Sequence, residues 1–256
     1  MLTFAANLSW MFKEHDFLDR FAAAADAGFA WVEYLFPYDH DPEDIAARLS
    51  RHKLKLALFN APPGDLSKNE RGFACLPMRR ADFRSALAIA MVYAQATAAP
   101  RLHLMAGVME GSRDTALATY KQSLNEACDA AAPLGLDILI EPLNPTDAPG
   151  YLLNDFDLAR QIIAELKRPN LKLQFDIYHR QMIHREVMHG LETLLPITGH
   201  IQISALPGRH EPTSGEVDDV QVLRAIERLG YRGIIGCEYS PRAGTLEGLG
   251  WMKKIA

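Results

Sequence analysis

Short runs of β-branched and aliphatic residues alternate along this chain with longer stretches whose apolar positions recur every three or four residues. Eight runs read as strands, at residues 3–8, 31–36, 54–60, 101–106, 137–141, 172–176, 200–204 and 233–238. Helical spacing fills the intervals, at 17–27, 42–52, 80–96, 113–132, 155–166, more weakly at 184–194, and then at 217–228 and 246–254. Strand followed by helix, repeated in this way, is the pattern of parallel βα units. Punctuation supports the boundaries. Asp41-Pro42 supplies an N-cap with proline in the first turn, Asn154 or Asp155 can cap the fifth helix, and Gly28, Gly135 and Gly230 stand where helices should stop.

Eight units in 256 residues leave about 32 residues each, the size a (β/α)8 barrel needs. The expected fold is therefore α/β, a single barrel over residues 1–256 acting as one catalytic domain. An open doubly wound sheet would carry a glycine-rich phosphate turn after its first strand, and Asn7-Leu8-Ser9-Trp10 contains no glycine. The longest connections, at 61–79 and 142–154, follow the third and fifth strands, on the side where barrel active sites are built.

Composition narrows the function. With 27 Lys and Arg against 32 Asp and Glu, the net charge of −5 offers no footprint for a nucleic-acid backbone. No apolar stretch approaches the ~20 residues of a membrane span, and the amino terminus lacks a signal-peptide pattern, so a cytoplasmic protein is expected. Cys75, Cys128 and Cys237 are odd in number and widely spaced, which suits reduced packing residues rather than disulfides. The expected partner is a small molecule; self-association is left open.

The chemistry lies at the strand ends. Four consecutive strands finish in polar residues where a core would prefer apolar ones: Glu141 on the fifth, Asp176 on the sixth, Gln202 on the seventh and Glu238 on the eighth. Neighbouring parallel strands run roughly 4.8 Å apart, so these side chains can surround one small volume. Three carboxylates there would resist ionisation unless a cation joined them. An all-oxygen set selects a hard ion, Mg²⁺ or Mn²⁺. For any one of these acids, a helix cap or surface ion pair is the ordinary explanation; four in a row favour a metal site. Glu33, inside the second strand, is either a further polar group of the cavity or a satisfied structural acid. His103 alternates with leucines in the fourth strand and can point inward, and His179, three residues after Asp176, overhangs the proposed site, where neutral imidazole could polarise a substrate oxygen. Arg71 and the Arg209-His210 pair are candidates to hold an anionic end of a substrate. No Gly-x-Ser-x-Gly elbow or Walker loop is present.

Taken together, Phe4-Ala5-Ala6-Asn7-Leu8-Ser9, Phe36-Pro37-Tyr38, Glu141-Pro142-Leu143-Asn144, Asp176-Ile177-Tyr178-His179, His210-Glu211-Pro212 with Gly215-Glu216, and Gly236-Cys237-Glu238-Tyr239 resemble the hydroxypyruvate isomerase and 2-oxo-tetronate isomerase family of xylose-isomerase-like barrels. The resemblance runs in order from Thr3 to Trp251. Leu56-Ala57-Leu58-Phe59-Asn60, Met105-Ala106-Gly107-Val108, Ala205-Leu206-Pro207 and Gly248-Leu249-Gly250-Trp251 look more like the tetronate branch. The resemblance implies metal ligands at Glu141, Asp176, Gln202 and Glu238, with Glu141 and Glu238 also the acid/base pair. One departure stands out: Ser240-Pro241 replaces the Lys-Pro common in the family. The implied reaction exchanges a carbonyl and a hydroxyl on adjacent carbons of a short 2-oxo acid through an enediolate. The alternatives are a ketose isomerase or 3-epimerase of neutral sugars and a non-catalytic metabolite-binding barrel. An apurinic endonuclease would require a His-rich metal set and a basic groove.

Overall fold

All eight runs form strands, and every pairing between these strands is parallel. The structure, a computed structural model, describes residues 2–255. Its strands are β1 (Thr3–Asn7), β2 (Trp31–Glu33), β3 (Lys55–Leu56), β4 (Phe59–Asn60), β5 (Arg101–His103), β6 (Asp137–Ile140), β7 (Leu171–Asp176), β8 (Thr198–Ile203) and β9 (Ile234–Cys237). The hydrogen-bonded order is β3-β2-β1-β9-β8-β7-β6-β5-β4. The run expected at 54–60 is thus one stave in two pieces. β3 pairs with β2 and β4 with β5, so this broken stave closes the barrel. Several strands, β2 (Trp31–Glu33) and β5 (Arg101–His103) among them, are shorter at their C-terminal ends than the apolar runs suggested.

Helices α1 (Arg20–Asp26), α2 (Pro42–Arg51), α3 (Arg80–Thr97), α4 (Arg113–Ala131), α5 (Phe156–Leu166), α6 (Ile177–His184), α7 (Val187–Leu194), α8 (Asp219–Arg228) and the short α9 (Thr245–Gly248) complete the fold. Asp41 caps α2 by accepting from the Glu43 N–H at 2.8 Å, with Pro42 in the first turn. The helix then buries Ile45 and Leu49, four residues apart on one face, each worth about 2 kcal/mol of removed apolar surface. Asp155 rather than Asn154 caps α5. Gly28, Gly135 and Gly230 all adopt positive φ at helix ends, as expected. The single weak helix expected at 184–194 is corrected to two. α6 starts directly after β7 because the Asp176 side chain caps it, and Arg185, in the left-handed region at φ 57°, separates it from α7. The terminal helix expected at 246–254 is one α-helical turn followed by a 3-10 helix, Leu249–Lys254. No helix among the described residues is long and apolar enough to cross a membrane.

Candidate active site

β6, β7 and β9 each deliver one carboxylate to the C-terminal mouth of the barrel. Glu141 follows the last residue of β6, Asp176 ends β7, and Glu238 follows the last residue of β9. All three are buried. Asp176 divides its oxygens: Oδ1 accepts from the backbone N–H groups of Tyr178 (2.7 Å) and His179 (3.3 Å), while Oδ2 lies 3.2 Å from Arg209 Nη2. The same guanidinium nitrogen bonds Glu238 Oε2. The Arg209 head is stacked over Trp10 at 5.3 Å and Tyr178 at 4.7 Å, which keeps it among the acids. Ligand atoms of Glu141, Asp176 and His179 fall within 4.8 Å of one another.

This crowding changes the acids. Burial, then the neighbouring Glu238 and Asp176, raises the Glu141 carboxyl well above its ordinary value. Burial likewise pushes Glu238 up to about 8, although Arg209 works against the shift. Asp176 is raised by burial and held back by Arg209 and the two N–H donors. Arg209 resists the effect of its own burial because these carboxylates stabilise its charge. One arginine bonds two of the three carboxylates, and Glu141 Oε1 has no hydrogen-bond partner among the described residues. An orphaned buried carboxylate oxygen beside two further acids is what a hard divalent cation would satisfy, so the donors present fit such an ion.

His179 is oriented by its neighbours. The Asn144 backbone N–H donates to His179 Nδ1 at 3.1 Å, so the proton of the neutral ring sits on Nε2, 3.8 Å from Asp176 Oδ2. Burial and Arg209 drive its pKa well below the ordinary value. His179 therefore faces the site as a neutral donor, which suits a substrate oxygen better than a metal. His103 is 1% exposed and neither ring nitrogen makes a hydrogen bond, although Nδ1 is 3.4 Å from Glu141 Oε2. Burial lowers its pKa to about 3, so it too is neutral.

Glu141, Glu238, His103, His179, Arg71 and Arg209 line one cavity of about 240 Å³. That space is below the usual range for drug-sized ligands and suits a molecule of a few carbons. Arg71 stands at its edge, donating to the Asp147 carbonyl at 3.1 Å. His210 is not among the lining residues; its Nδ1 lies 2.9 Å from the Ser240 carbonyl oxygen. Gln202 lies deeper, donating to Glu33 at 2.9 Å and accepting from Gln174 at 2.6 Å. Glu33 is fully buried and takes the structural of its two readings, with donors on both oxygens. Sequence reasoning missed Trp10, Asn144 and Tyr178. Their signal was position alone, in the residues that follow β1, β6 and β7.

A parallel barrel with acids at the ends of its later strands is an isomerase-like architecture, and the chain belongs to the family described as the xylose isomerase-like TIM barrel, whose profile matches residues 21–255. Relatives over the full length sharpen this. The chain is 49% identical to the 2-oxo-tetronate isomerase of Cupriavidus necator over 255 residues, covering 99% of this chain and 98% of that protein. It is 39% identical to the hydroxypyruvate isomerase of Escherichia coli, with 98% of each covered. A solved structure from Brucella melitensis, described as an AP endonuclease, family 2, superposes with a TM-score of 0.97 at 42% identity over 99% of both chains. A D-psicose 3-epimerase from Clostridium cellulolyticum H10, with a TM-score of 0.78 at 16% identity over 96% of this chain and 88% of that one, shares the fold.

Proposed function

We propose that this chain is an isomerase that exchanges carbonyl and hydroxyl groups between adjacent carbons of a short 2-oxo acid, converting hydroxypyruvate to tartronate semialdehyde or 2-oxo-tetronate to 3-oxo-tetronate. The observation that carries the reading is a pair of buried glutamates, Glu141 and Glu238, lining one cavity of about 240 Å³ together with two arginines. The names of the full-length relatives support the same class.

Glu141, Asp176, Gln202 and Glu238 would hold Mg²⁺ or Mn²⁺. When bound, such an ion neutralises the crowded acids and polarises the substrate carbonyl, which acidifies the neighbouring C–H. One of the two glutamates removes that proton and the other returns a proton to the adjacent carbon, through an enediolate. The Nε2–H of His179 donates to the substrate oxygen on which charge develops. His103 offers the reacting end a neutral imidazole without a competing partner. Arg209 or Arg71 pairs with the substrate carboxylate, a role left to them because Ser240 supplies no cation. Two arginines at the cavity favour an acid over a neutral sugar. The −5 net charge, with a mouth built mainly from carboxylates, runs against an endonuclease.

The test is proton NMR in D₂O of metal-stripped protein with each oxo acid, before and after addition of Mg²⁺ or Mn²⁺. Metal-dependent conversion with deuterium entering the exchanging carbon is the expected result. Absence of both conversion and exchange with either acid, but turnover of a neutral ketose, would replace this reading with a sugar isomerase or epimerase.

A further inference from the structure

The barrel interior holds a fourth buried acid that the proposed chemistry does not use. Glu33, on β2, is fully buried, and three donors from two other strands converge on it. Asn7 Nδ2 on β1 and Gln202 Nε2 on β8 donate to Oε1 at 3.0 and 2.9 Å, and His200 Nε2, also on β8, lies 2.7 Å from Oε2. A fourth strand makes room. At Gly236 on β9, a Cβ would stand 2.2 Å from both Glu33 oxygens, so any side chain there would expel the carboxylate. The strand register sets Gln202 opposite Asp176 on β7 and opposite Gly236 on β9, so the residue that donates to Glu33 is also the neighbour of a mouth acid.

An amide presents two nearly identical ends, and only its oxygen can bind a hard cation. Turning Gln202 over would bring its carbonyl oxygen against the Glu33 carboxylate, two buried acceptors with no proton between them. Gln202 Oε1 is thereby directed away from Glu33, towards β7, where Gln174 Nε2 donates to it at 2.6 Å.

We propose that Glu33 is a positioning residue: it captures the NH₂ end of Gln202 and so keeps the amide oxygen available to the metal. This rests on the reading of Gln202 as a ligand. Asn7, His200 and Gly236 hold Glu33 in place for that task. A carboxylate is required because it only accepts. A glutamine at position 33 could donate as well as accept, and would satisfy Gln202 in either orientation.

The experiment is Mn²⁺ titration of metal-stripped protein, read by the EPR signal of free Mn²⁺, for wild type, Glu33→Gln, Gln202→Leu and the double variant. Outer-shell partners of metal ligands typically govern about 10–100-fold in affinity. Glu33→Gln is therefore expected to weaken Mn²⁺ binding in that range, and the double variant to bind no worse than Gln202→Leu alone. If Gln202→Leu weakens binding and Glu33→Gln does not, or if the two losses multiply, the positioning role is overturned and Gln202 remains a ligand. If Gln202→Leu binds Mn²⁺ normally, the ligand assignment falls, and this inference with it. Should Glu33→Gln fail to fold, the wild type still decides. On Mg²⁺ titration the Gln202 side-chain carbonyl carbon is expected to shift while its NH₂ protons stay at their Glu33-bonded positions; movement of the NH₂ signals with a static carbonyl would overturn the role.

Discussion

The barrel interior holds three acids at the ends of β6, β7 and β9 and a fourth, Glu33, on β2, and the two sets are treated in opposite ways. At the mouth, Asp176 and Glu238 share one arginine, and an oxygen of the neighbouring Glu141 goes without a partner. On β2, Glu33 alone receives three donors, and a neighbouring glycine is kept free of a side chain for it. That acid is complete as it stands. The other three remain short of positive charge, and a buried carboxyl in that condition holds its proton or awaits a cation. Satisfaction of hydrogen bonds, more than burial or charge, separates the acid that maintains structure from those disposed for chemistry.

The largest test of that contrast is Glu238→Gln. The amide keeps the shape but cannot shuttle a proton, so kcat is expected to fall by about 10²–10⁴-fold with an unchanged circular dichroism spectrum; turnover near the wild-type rate would remove Glu238 from the acid/base pair. The next test is pH. Burial holds Glu238 at about 8 against an ordinary value of 4.5. Between those values the folded protein keeps a proton that the unfolded chain releases, so the stability of metal-stripped protein should decline as pH rises from about 4.5 to 8, by up to about 1.4 kcal/mol per pH unit. Thermal melts across that range check this, and saturating Mn²⁺ should flatten the decline. A metal-free protein whose melting point is level with pH would place Glu238 among the satisfied acids. The smallest effect is expected at His103→Leu. Its ring nitrogens make no hydrogen bond, so the melting temperature should correspond to a change of less than about 1 kcal/mol, while KM for the oxo acid rises if the imidazole reads substrate. A large loss of stability would show that His103 belongs with Glu33 instead.

Much of this contrast was legible in the chain. Short apolar and β-branched runs marked the strands, and polar residues at four successive strand ends stood out against them, which is how Glu141, Asp176, Gln202 and Glu238 could be picked out as a group. Glu33 stood out as an isolated acid in an apolar run, but its satisfaction could not be read, because its donors come from β1 and β8, far away in sequence. Arg209 was visible only as one loop cation among several. What holds it inward is its pairing with Asp176 and Glu238 and its stacking on Trp10 and Tyr178, contacts between segments far apart in sequence that no local pattern encodes. The helix α6 was hidden because its first turn carries Tyr, His and Arg, and because the acid that starts it was already assigned to the mouth.

Asp176 ends a strand, starts a helix and faces the mouth, all within one residue. The distance between its Oδ2 and the His179 donor is therefore set by a single helical turn, with no flexible connection between them. Sequence drift in the longer loops can reshape the walls of the cavity without disturbing that spacing. The barrel thus separates a rigid gauge, fixed in covalent and helical geometry, from the parts that are free to change what the cavity admits.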